Sequence, residues 1–242
     1  MLADDDLESL EDLPEFRQLK AASELSYRQA LAESKPVFTH QAKTADNLFI
    51  AVHGNGQNLE EALTDWAPLK NSDLQLEAVQ SAIPDSTGRY RWNYDEENYQ
   101  NLAEALEKTE ALHYQRTILA GFSAGCDMIL RTIAKTGHTC AAILLQSPWL
   151  PFLEAPENLT ELMTALRQKQ IKVRIFCGDL DGDCLRWSTL LHDQCRANAI
   201  DSTLVLLQGL RHRFPDNLGE EYFRAVDSMD RSDSKPSAYP GD

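Results

Sequence analysis

The sequence predicts an α/β fold with a mostly parallel central sheet of about six or seven strands and helices on both faces. Two observations predict it. From about residue 48 onward, short apolar runs alternate with longer amphipathic stretches, as in chains that cross over between parallel strands. The chain has 242 residues, of which 43% are hydrophobic, so it is long enough to build one sizeable core.

The predicted strands and helices follow from this alternation. Six apolar runs are predicted to be strands, at 48–52, 74–79, 117–121, 141–145, 173–177 and 203–207. Five amphipathic stretches are predicted to be helices, at 99–110, 124–135, 159–169, 185–197 and 218–229. Each of these stretches is long enough for a crossover connection between parallel strands. We expect residues 46–229 to form a single folded domain.

The segments on either side of this domain differ from it in composition. Residues 1–45 form an acidic appendage, in which apolar residues recur near helical spacing behind Pro14. They are Phe16, Leu19, Ala22, Leu25 and Ala30. We expect a helix here that packs on the domain. Residues 230–242 mix Ser, Asp, Pro and Gly, and we expect them to be a flexible tail.

Charge and cysteine content argue against several classes of function. The 38 acidic and 23 basic residues give a net charge of −15, which offers no general attraction to nucleic acid or anionic lipid. No apolar run approaches the roughly 18 residues of a membrane-spanning helix, so no membrane insertion is expected. The five cysteines show no metal-binding or disulfide-framework spacing. Reduced thiols and an acidic first segment, unlike a signal peptide, predict a cytoplasmic protein.

A candidate nucleophile lies at the end of the third predicted strand. The run GFSAG at 121–125 matches the pattern G-x-S-x-G, in which a sharp strand-to-helix turn exposes a serine hydroxyl. Glycines on both flanks remove Cβ atoms that would clash where strand and helix cross. The free amides at the start of the following helix favour negative charge beside the hydroxyl. Ser123 is therefore the predicted nucleophile.

A serine nucleophile needs a base and a carboxylate that orients the base. Asp181 follows the predicted strand 173–177, and His212 follows the predicted strand 203–207. Both therefore lie at strand ends, where open α/β sheets place ligands. Asp179 and Asp183 compete for the role of the acid, and Asp181 is preferred.

The alternating aspartates at 179, 181 and 183 are also a feature of calcium-binding loops. An EF-hand loop needs glycine at its sixth position and glutamate at its twelfth, where this chain has Cys184 and Leu190. We therefore expect no metal site.

A second glycine-containing loop is the candidate oxyanion hole. The run HGNGQN at 53–58 directly follows the predicted strand 48–52, so its backbone amides can point at an acyl oxygen. The amides of Asn55 and Ala124 are the predicted donors, and Gly54 and Gly56 let the backbone approach a substrate. An ordinary Gly/Asn turn is the alternative interpretation of this run.

Together these motifs resemble the phospholipase/carboxylesterase family of α/β hydrolases, which includes the acyl-protein thioesterases. The loops at 53–57, 121–125, 178–181 and 212–215 match in order and approximate spacing, and the likeness spans about residues 47 to 226. The resemblance implies a compact α/β-hydrolase domain without a large lid, in which Ser123, Asp181 and His212 act as nucleophile, acid and base. Three positions depart from the family pattern and bear on substrate preference. They are Ala124 (often Gln), Cys126 (commonly Gly) and Arg211 (often a small residue).

Two further loops are expected to border the site, at 89–94 and 149–153. We predict that Trp92 and Trp149 contact the substrate together with Gln57 and the two glycines of the 53–58 loop. Arg89 and Arg91 either meet an acidic substrate group or pair with nearby acids.

The sequence thus predicts a serine hydrolase that cleaves small carboxylic esters or thioesters and needs no cofactor. An amidase or peptidase with the same triad and a non-catalytic binding module are the alternatives. The oligomeric state, monomer or homodimer, is left open.

Overall fold

A computed structural model describes residues 5–39, 41–71 and 73–227 of the chain. Within these residues a first α-helix is followed by strands and further α-helices, which alternate regularly from residue 96 onward. The strands are β1 (Val37–Phe38), β2 (Asn47–Val52), β3 (Leu74–Gln80), β4 (Ile83–Ser86), β5 (Arg89–Arg91), β6 (Arg116–Phe122), β7 (Ala142–Gln146), β8 (Lys172–Gly178) and β9 (Ser202–Leu207). The helices are α1 (Pro14–Glu33), α2 (Leu59–Trp66), α3 (Glu96–Glu110), α4 (Ala124–Lys135), α5 (Pro156–Gln168), α6 (Gly182–Ala197) and α7 (Glu220–Asp227).

Seven of the strands form the central sheet, in the order β1-β3-β2-β6-β7-β8-β9. All neighbours in it are parallel except β1, which pairs antiparallel with β3. The six predicted strands are the six parallel strands of this sheet, which confirms the predicted fold class. β4 and β5 form a separate antiparallel pair.

The central strands are buried on both faces because alternate side chains of one strand enter two different cores. In β2, Leu48, Ile50 and Val52 face the core covered by α3, α4, α5 and α6. Phe49 and Ala51 of the same strand face the core covered by α2 and α7. This two-sided burial explains why the strand is an unbroken apolar run in the sequence.

The N-terminal segment packs on the domain only partly. The predicted helix exists as α1; none of its residues is fully buried, but Tyr27 is half-buried and its hydroxyl accepts a hydrogen bond from Arg91 of β5. Leu19 is 69% exposed and Leu25 is 59% exposed. These two residues are six positions apart, which places them about 240° apart around a helix, so they form no single apolar face.

The sheet begins before residue 46, the predicted start of the domain, because Val37 and Phe38 of β1 pair with Gln80 and Val79.

The predicted flexible tail, 230–242, lies outside the described residues. Among the described residues, no helix is both long enough and apolar enough to cross a membrane.

Candidate active site

Ser123 lies on the sharp turn between β6 and α4. Its backbone has φ 50° and ψ −120°, a strained conformation for a residue with a side chain. The turn is tight enough to require its second glycine, since a Cβ on Gly125 would lie 2.4 Å from the carbonyl oxygen of Val52 and 2.5 Å from that of His53. The strain and the close approach together hold the Ser123 side chain at the carboxyl end of the sheet.

His212 connects this serine to a buried carboxylate. Its Nε2 lies 2.9 Å from Oγ of Ser123, and its Nδ1 lies 2.9 Å from Oδ2 of Asp181. An imidazole with its proton on Nδ1 donates to Asp181 and accepts a hydrogen bond from the Ser123 hydroxyl. Asp181 is 6% exposed, whereas the His212 side chain is 44% exposed. The His212 ring is therefore open to small molecules, while the Asp181 carboxylate is shielded.

The structure also distinguishes the three neighbouring aspartates. Asp181 immediately precedes α6 and is the one whose carboxylate reaches His212. Asp179 accepts a hydrogen bond from the amide of Gly209 at 2.7 Å, which ties the end of β8 to the loop after β9. Asp183 is exposed in the first turn of α6.

The loop after β2 lies directly against the serine. A Cβ on Gly54 would come within 3.2 Å of Cβ of Ser123 and 2.7 Å of the Phe122 ring, so only glycine fits without displacing the nucleophile turn. Within the described part of the chain, the amides of Asn55 and Ala124 donate to no protein acceptor. Two backbone donors on either side of Ser123 are thus available to an external oxygen.

Two residues that were predicted to contact the substrate hold this loop in shape. The Gln57 side chain accepts from the Gly54 amide at 2.8 Å and donates to Asp65 at 3.0 Å. Trp92 is only 2% exposed, and its backbone amide donates to Oδ1 of Asn55 at 2.8 Å. Both side chains are used within the protein.

Trp92 also packs on a buried histidine beneath the loop. Its indole Nε1 donates to the carbonyl of His53 at 2.7 Å, and its ring stacks on the His53 imidazole with centroids 4.8 Å apart. Burial lowers the pKa of His53 to about 4. The His53 ring is therefore neutral near pH 7, with Nδ1 hydrogen-bonded to the Gly54 carbonyl and Nε2 accepting from the Ser81 amide.

The other predicted loop residues divide between the site and the surface. Trp149 is 37% exposed, and its amide donates to the carbonyl of Ser123 at 3.3 Å, so it lies beside the serine. Gly56 has φ +74° and donates its amide to the carbonyl of Tyr90, which shapes the 53–58 loop. Arg89 pairs with Glu61 at 2.9 Å, and Arg91 donates to the hydroxyl of Tyr27 at 3.4 Å. The two arginines are thus engaged with other parts of the chain.

Sequence reasoning missed a glutamine that fixes the loop carrying His212. The Gln146 side chain donates to the carbonyl of Arg213 at 3.0 Å and accepts from the hydroxyl of Tyr222. Its position was a usable signal, because a polar side chain ends the apolar run of β7 beside the strand that carries the serine.

Sequence reasoning also missed a thiol beside His212. The Cys184 Sγ lies 3.4 Å from His212 Nδ1, one helical turn after Asp181. Burial first, and the Asp181 carboxylate second, hold the pKa of this thiol well above its usual value, so it is a neutral thiol. Donor atoms of Asp181, Cys184 and His212 lie within 4.8 Å of one another, but hydrogen bonds among these groups account for the cluster. The absence of a metal from the chemistry stays a prediction.

The sheet, the strained serine turn and the positions of the aspartate and histidine define an α/β-hydrolase fold. Neither a protein-family model nor a curated protein sequence matches the chain. Among solved structures, an uncharacterized protein from Bacillus cereus ATCC 10987 is 25% identical, with a TM-score of 0.69 over 96% of this chain and 75% of that one.

Two named enzymes also share the fold. Esterase PE8 is 21% identical, with a TM-score of 0.61 over 81% of this chain and 97% of its own. A phospholipase/carboxylesterase from Dyadobacter fermentans is 16% identical, with a TM-score of 0.55 over 82% and 97%. At these identities the likeness establishes the fold, and it agrees with the family resemblance seen in the motifs.

Proposed function

We propose that the protein is a serine hydrolase that cleaves carboxylic ester or thioester bonds of small substrates. One observation carries the proposal: Ser123, His212 and Asp181 are linked by two hydrogen bonds of 2.9 Å at the carboxyl end of the sheet. Two structural neighbours, an esterase and a phospholipase/carboxylesterase, support the same class of reaction.

In the proposed first step, Oγ of Ser123 attacks the carbonyl carbon of the substrate. Nε2 of His212 takes the hydroxyl proton as the new C–O bond forms, and Nδ1–H keeps its hydrogen bond to Asp181. The buried carboxylate stabilises the imidazolium that results. Collapse of the tetrahedral intermediate breaks the ester C–O or thioester C–S bond, and the departing alcohol or thiol takes the proton from His212.

The free amides of Asn55 and Ala124 are the proposed donors to the oxyanion. Gly54 is the residue of the 53–58 loop that lies directly against Ser123, which places the neighbouring Asn55 amide and the Ala124 amide near the carbonyl that the serine attacks. Losing one such donor typically costs about 3 kcal/mol of transition-state stabilisation. In the second step water attacks the acyl carbon while His212 takes a proton from it. The bond between Oγ of Ser123 and the acyl carbon then breaks, Oγ takes the proton from His212, and the carboxylic acid leaves.

Hydrolysis of p-nitrophenyl esters, from acetyl to long acyl chains, tests the proposal when purified wild-type protein is compared with Ser123→Ala. We expect turnover by the wild type alone. Comparable turnover of anilide substrates would favour an amidase with the same triad. Lack of turnover on every ester would contradict the proposed function.

A further inference from the structure

A buried ion pair on the helix that follows Ser123 joins two loops. Asp127, fully buried in the first turn of α4, accepts a hydrogen bond from Nε of Arg131 at 2.5 Å. The second carboxylate oxygen of Asp127 accepts from the amide of Phe152 at 2.8 Å. Arg131 in turn donates from Nη1 to the carbonyl of Tyr94 at 3.1 Å. The pair therefore holds the loop after β5 and the loop after β7 on one helix.

Aromatic rings strengthen both attachments. The Arg131 guanidinium lies over the Tyr94 ring at 5.5 Å and over the Phe152 ring at 4.9 Å. Contacts of this kind are favourable, and more so when they are desolvated. The Arg131 side chain is largely covered, with 14% of it exposed.

Both loops reach the proposed nucleophile and its oxyanion donors. Burial raises the pKa of the Tyr94 hydroxyl, and the side chains of Asn55 and Trp149 oppose this rise, so the hydroxyl lies close to both. The Trp149 amide donates to the carbonyl of Ser123, and Ala124 and Asn55 supply the free amides described above. Tyr94 and Trp149 are each 37% exposed, so each presents an aromatic surface to solvent beside the serine.

Burial of this pair is costly for the fold. Burial raises the pKa of Asp127 to about 6, although Arg131 and the Phe152 amide lower it. An apolar replacement of a buried ion pair is often as stable as the pair itself. Asp127 and Arg131 instead fix the positions of the two loops, because directional hydrogen bonds join Asp127 to Phe152 and Arg131 to Tyr94.

On the basis of the proposed function, we propose that Asp127 and Arg131 are positioning residues that fix Tyr94 and Trp149 as an aromatic contact for the acyl chain of the substrate. The pair touches no reacting atom. It acts through the two aromatic side chains, and these determine which acyl chains bind well. The substrates that use this contact are therefore esters with an apolar acyl group longer than acetyl.

The test compares Arg131→Lys, Asp127→Asn and the milder Tyr94→Phe with wild type on acetyl and octanoyl p-nitrophenyl esters. Arg131→Lys keeps the charge but loses the hydrogen bonds from Nε to Asp127 and from Nη1 to the Tyr94 carbonyl. Tyr94→Phe removes only the hydroxyl that lies close to Asn55 and Trp149. We expect KM for the octanoyl ester to rise about tenfold in Arg131→Lys and Asp127→Asn, and severalfold in Tyr94→Phe. The acetyl ester, which makes little use of the aromatic contact, is expected to keep its KM within about twofold.

Arg174→Lys is the matched control. Arg174 is also buried and forms a two-pronged ion pair with Asp201, at 2.8 and 3.1 Å, but it lies at the start of β8, away from the serine. We expect this variant to lower stability and leave the ratio of the two KM values unchanged.

An unchanged ratio of octanoyl to acetyl KM in Tyr94→Phe and Arg131→Lys would overturn the inference. The inference would also be overturned if these variants and Arg174→Lys all lowered kcat by the same factor on both esters. That result would mean that the residues have a purely structural role. In both cases wild-type turnover keeps the proposed function intact. Failure of the wild type on every ester would instead remove the proposed function and this inference together.

Discussion

His212 places its Nε2 2.9 Å from Oγ of Ser123, although the residues are 89 positions apart in the chain and their strands are not neighbours. Strands β7 and β8 lie between β6, which leads to the serine, and β9, which precedes the histidine. The loop after β9 crosses this gap with anchoring hydrogen bonds from Leu180 to the Leu210 carbonyl at 3.0 Å and from Gln146 to the Arg213 carbonyl. His212 is thus held at the serine by contacts to the ends of both intervening strands.

Loss of the nucleophile or the base is expected to remove activity without unfolding the protein. Ser123→Ala and His212→Ala should each lower kcat/KM for a p-nitrophenyl ester by about 10⁴-fold or more, because members of a triad act as one unit. Ser86→Ala, at an exposed serine on β4, is the control. Steady-state kinetics and thermal melts check the prediction, and wild-type turnover in either triad variant would contradict it.

The choice of acid predicts unequal effects of two nearby substitutions. Asp181→Asn should lower kcat about 10³- to 10⁴-fold, since the amide no longer holds the Nδ1–H tautomer of His212. Asp183→Asn should change kcat less than about twofold, because Asp183 is exposed in the first turn of α6. If Asp183→Asn proves the more damaging of the two, the assignment of Asp181 is wrong.

Close packing at the serine turn predicts a stability difference between two glycine substitutions. A Cβ on Gly125 would overlap the carbonyl oxygens of Val52 and His53, whereas a Cβ on Gly182 would meet nothing within 4 Å. Gly125→Ala should therefore destabilise the fold by about 3 kcal/mol or more, which corresponds to roughly 10 °C in Tm. Gly182→Ala should be neutral or slightly stabilising. Equal Tm values for the two variants would argue against the geometry of this turn.

The buried His53 predicts a loss of stability in mild acid. Its pKa is about 4 in the folded protein and 6.5 as an ordinary histidine, so between these values the unfolded chain binds a proton that the folded chain does not. The contribution of the neutral ring is fully present above pH 6.5 and falls by up to about 3 kcal/mol as the pH drops to 4.

Denaturant unfolding of wild type and His53→Gln at pH 7 and pH 4.5 measures this effect. The stability advantage of the wild type should shrink at the lower pH. Asp127, whose pKa is raised to about 6, titrates in the same range, but it is present in both proteins and its contribution cancels in the comparison. A difference that is independent of pH would contradict the prediction.

The parallel strands and the residues of the site could be predicted because their signals are local. β2 and β7 are buried on both faces and so are unbroken apolar runs. The spacing of Ser123, Asp181 and His212 after three such runs identified the residues that the structure brings together. Their catalytic roles remain a proposal.

Elements that depend on tertiary contacts were not predicted. β1 has two residues and exists because Val37 and Phe38 add to the edge of β3. β4 and β5 form a hairpin whose register shifts between Pro84 and Ser86. α2 did have a local signal that was overlooked, the capping box of Asn58 and Glu61.

The function of aromatic side chains was the least predictable part of the site. Trp92 and Trp149 lie in comparable loops in the sequence, yet the first is buried on His53 and the second is partly exposed beside Ser123. Composition gives no means to separate a ring that supports a loop from a ring that faces the substrate. The contacts with His53 and with Ser123 give the two tryptophans their different positions, and both contacts join residues that are far apart in the sequence.

Labelling with a fluorophosphonate tests the central claim most directly, because an activated serine displaces fluoride and keeps the phosphonyl group, whatever its natural substrate. We predict one label per chain, found by peptide mass spectrometry on Ser123, and very slow labelling of His212→Ala. A wild-type protein that stays unlabelled, or that carries the label on another residue, would contradict the account of Ser123 as a nucleophile activated by His212.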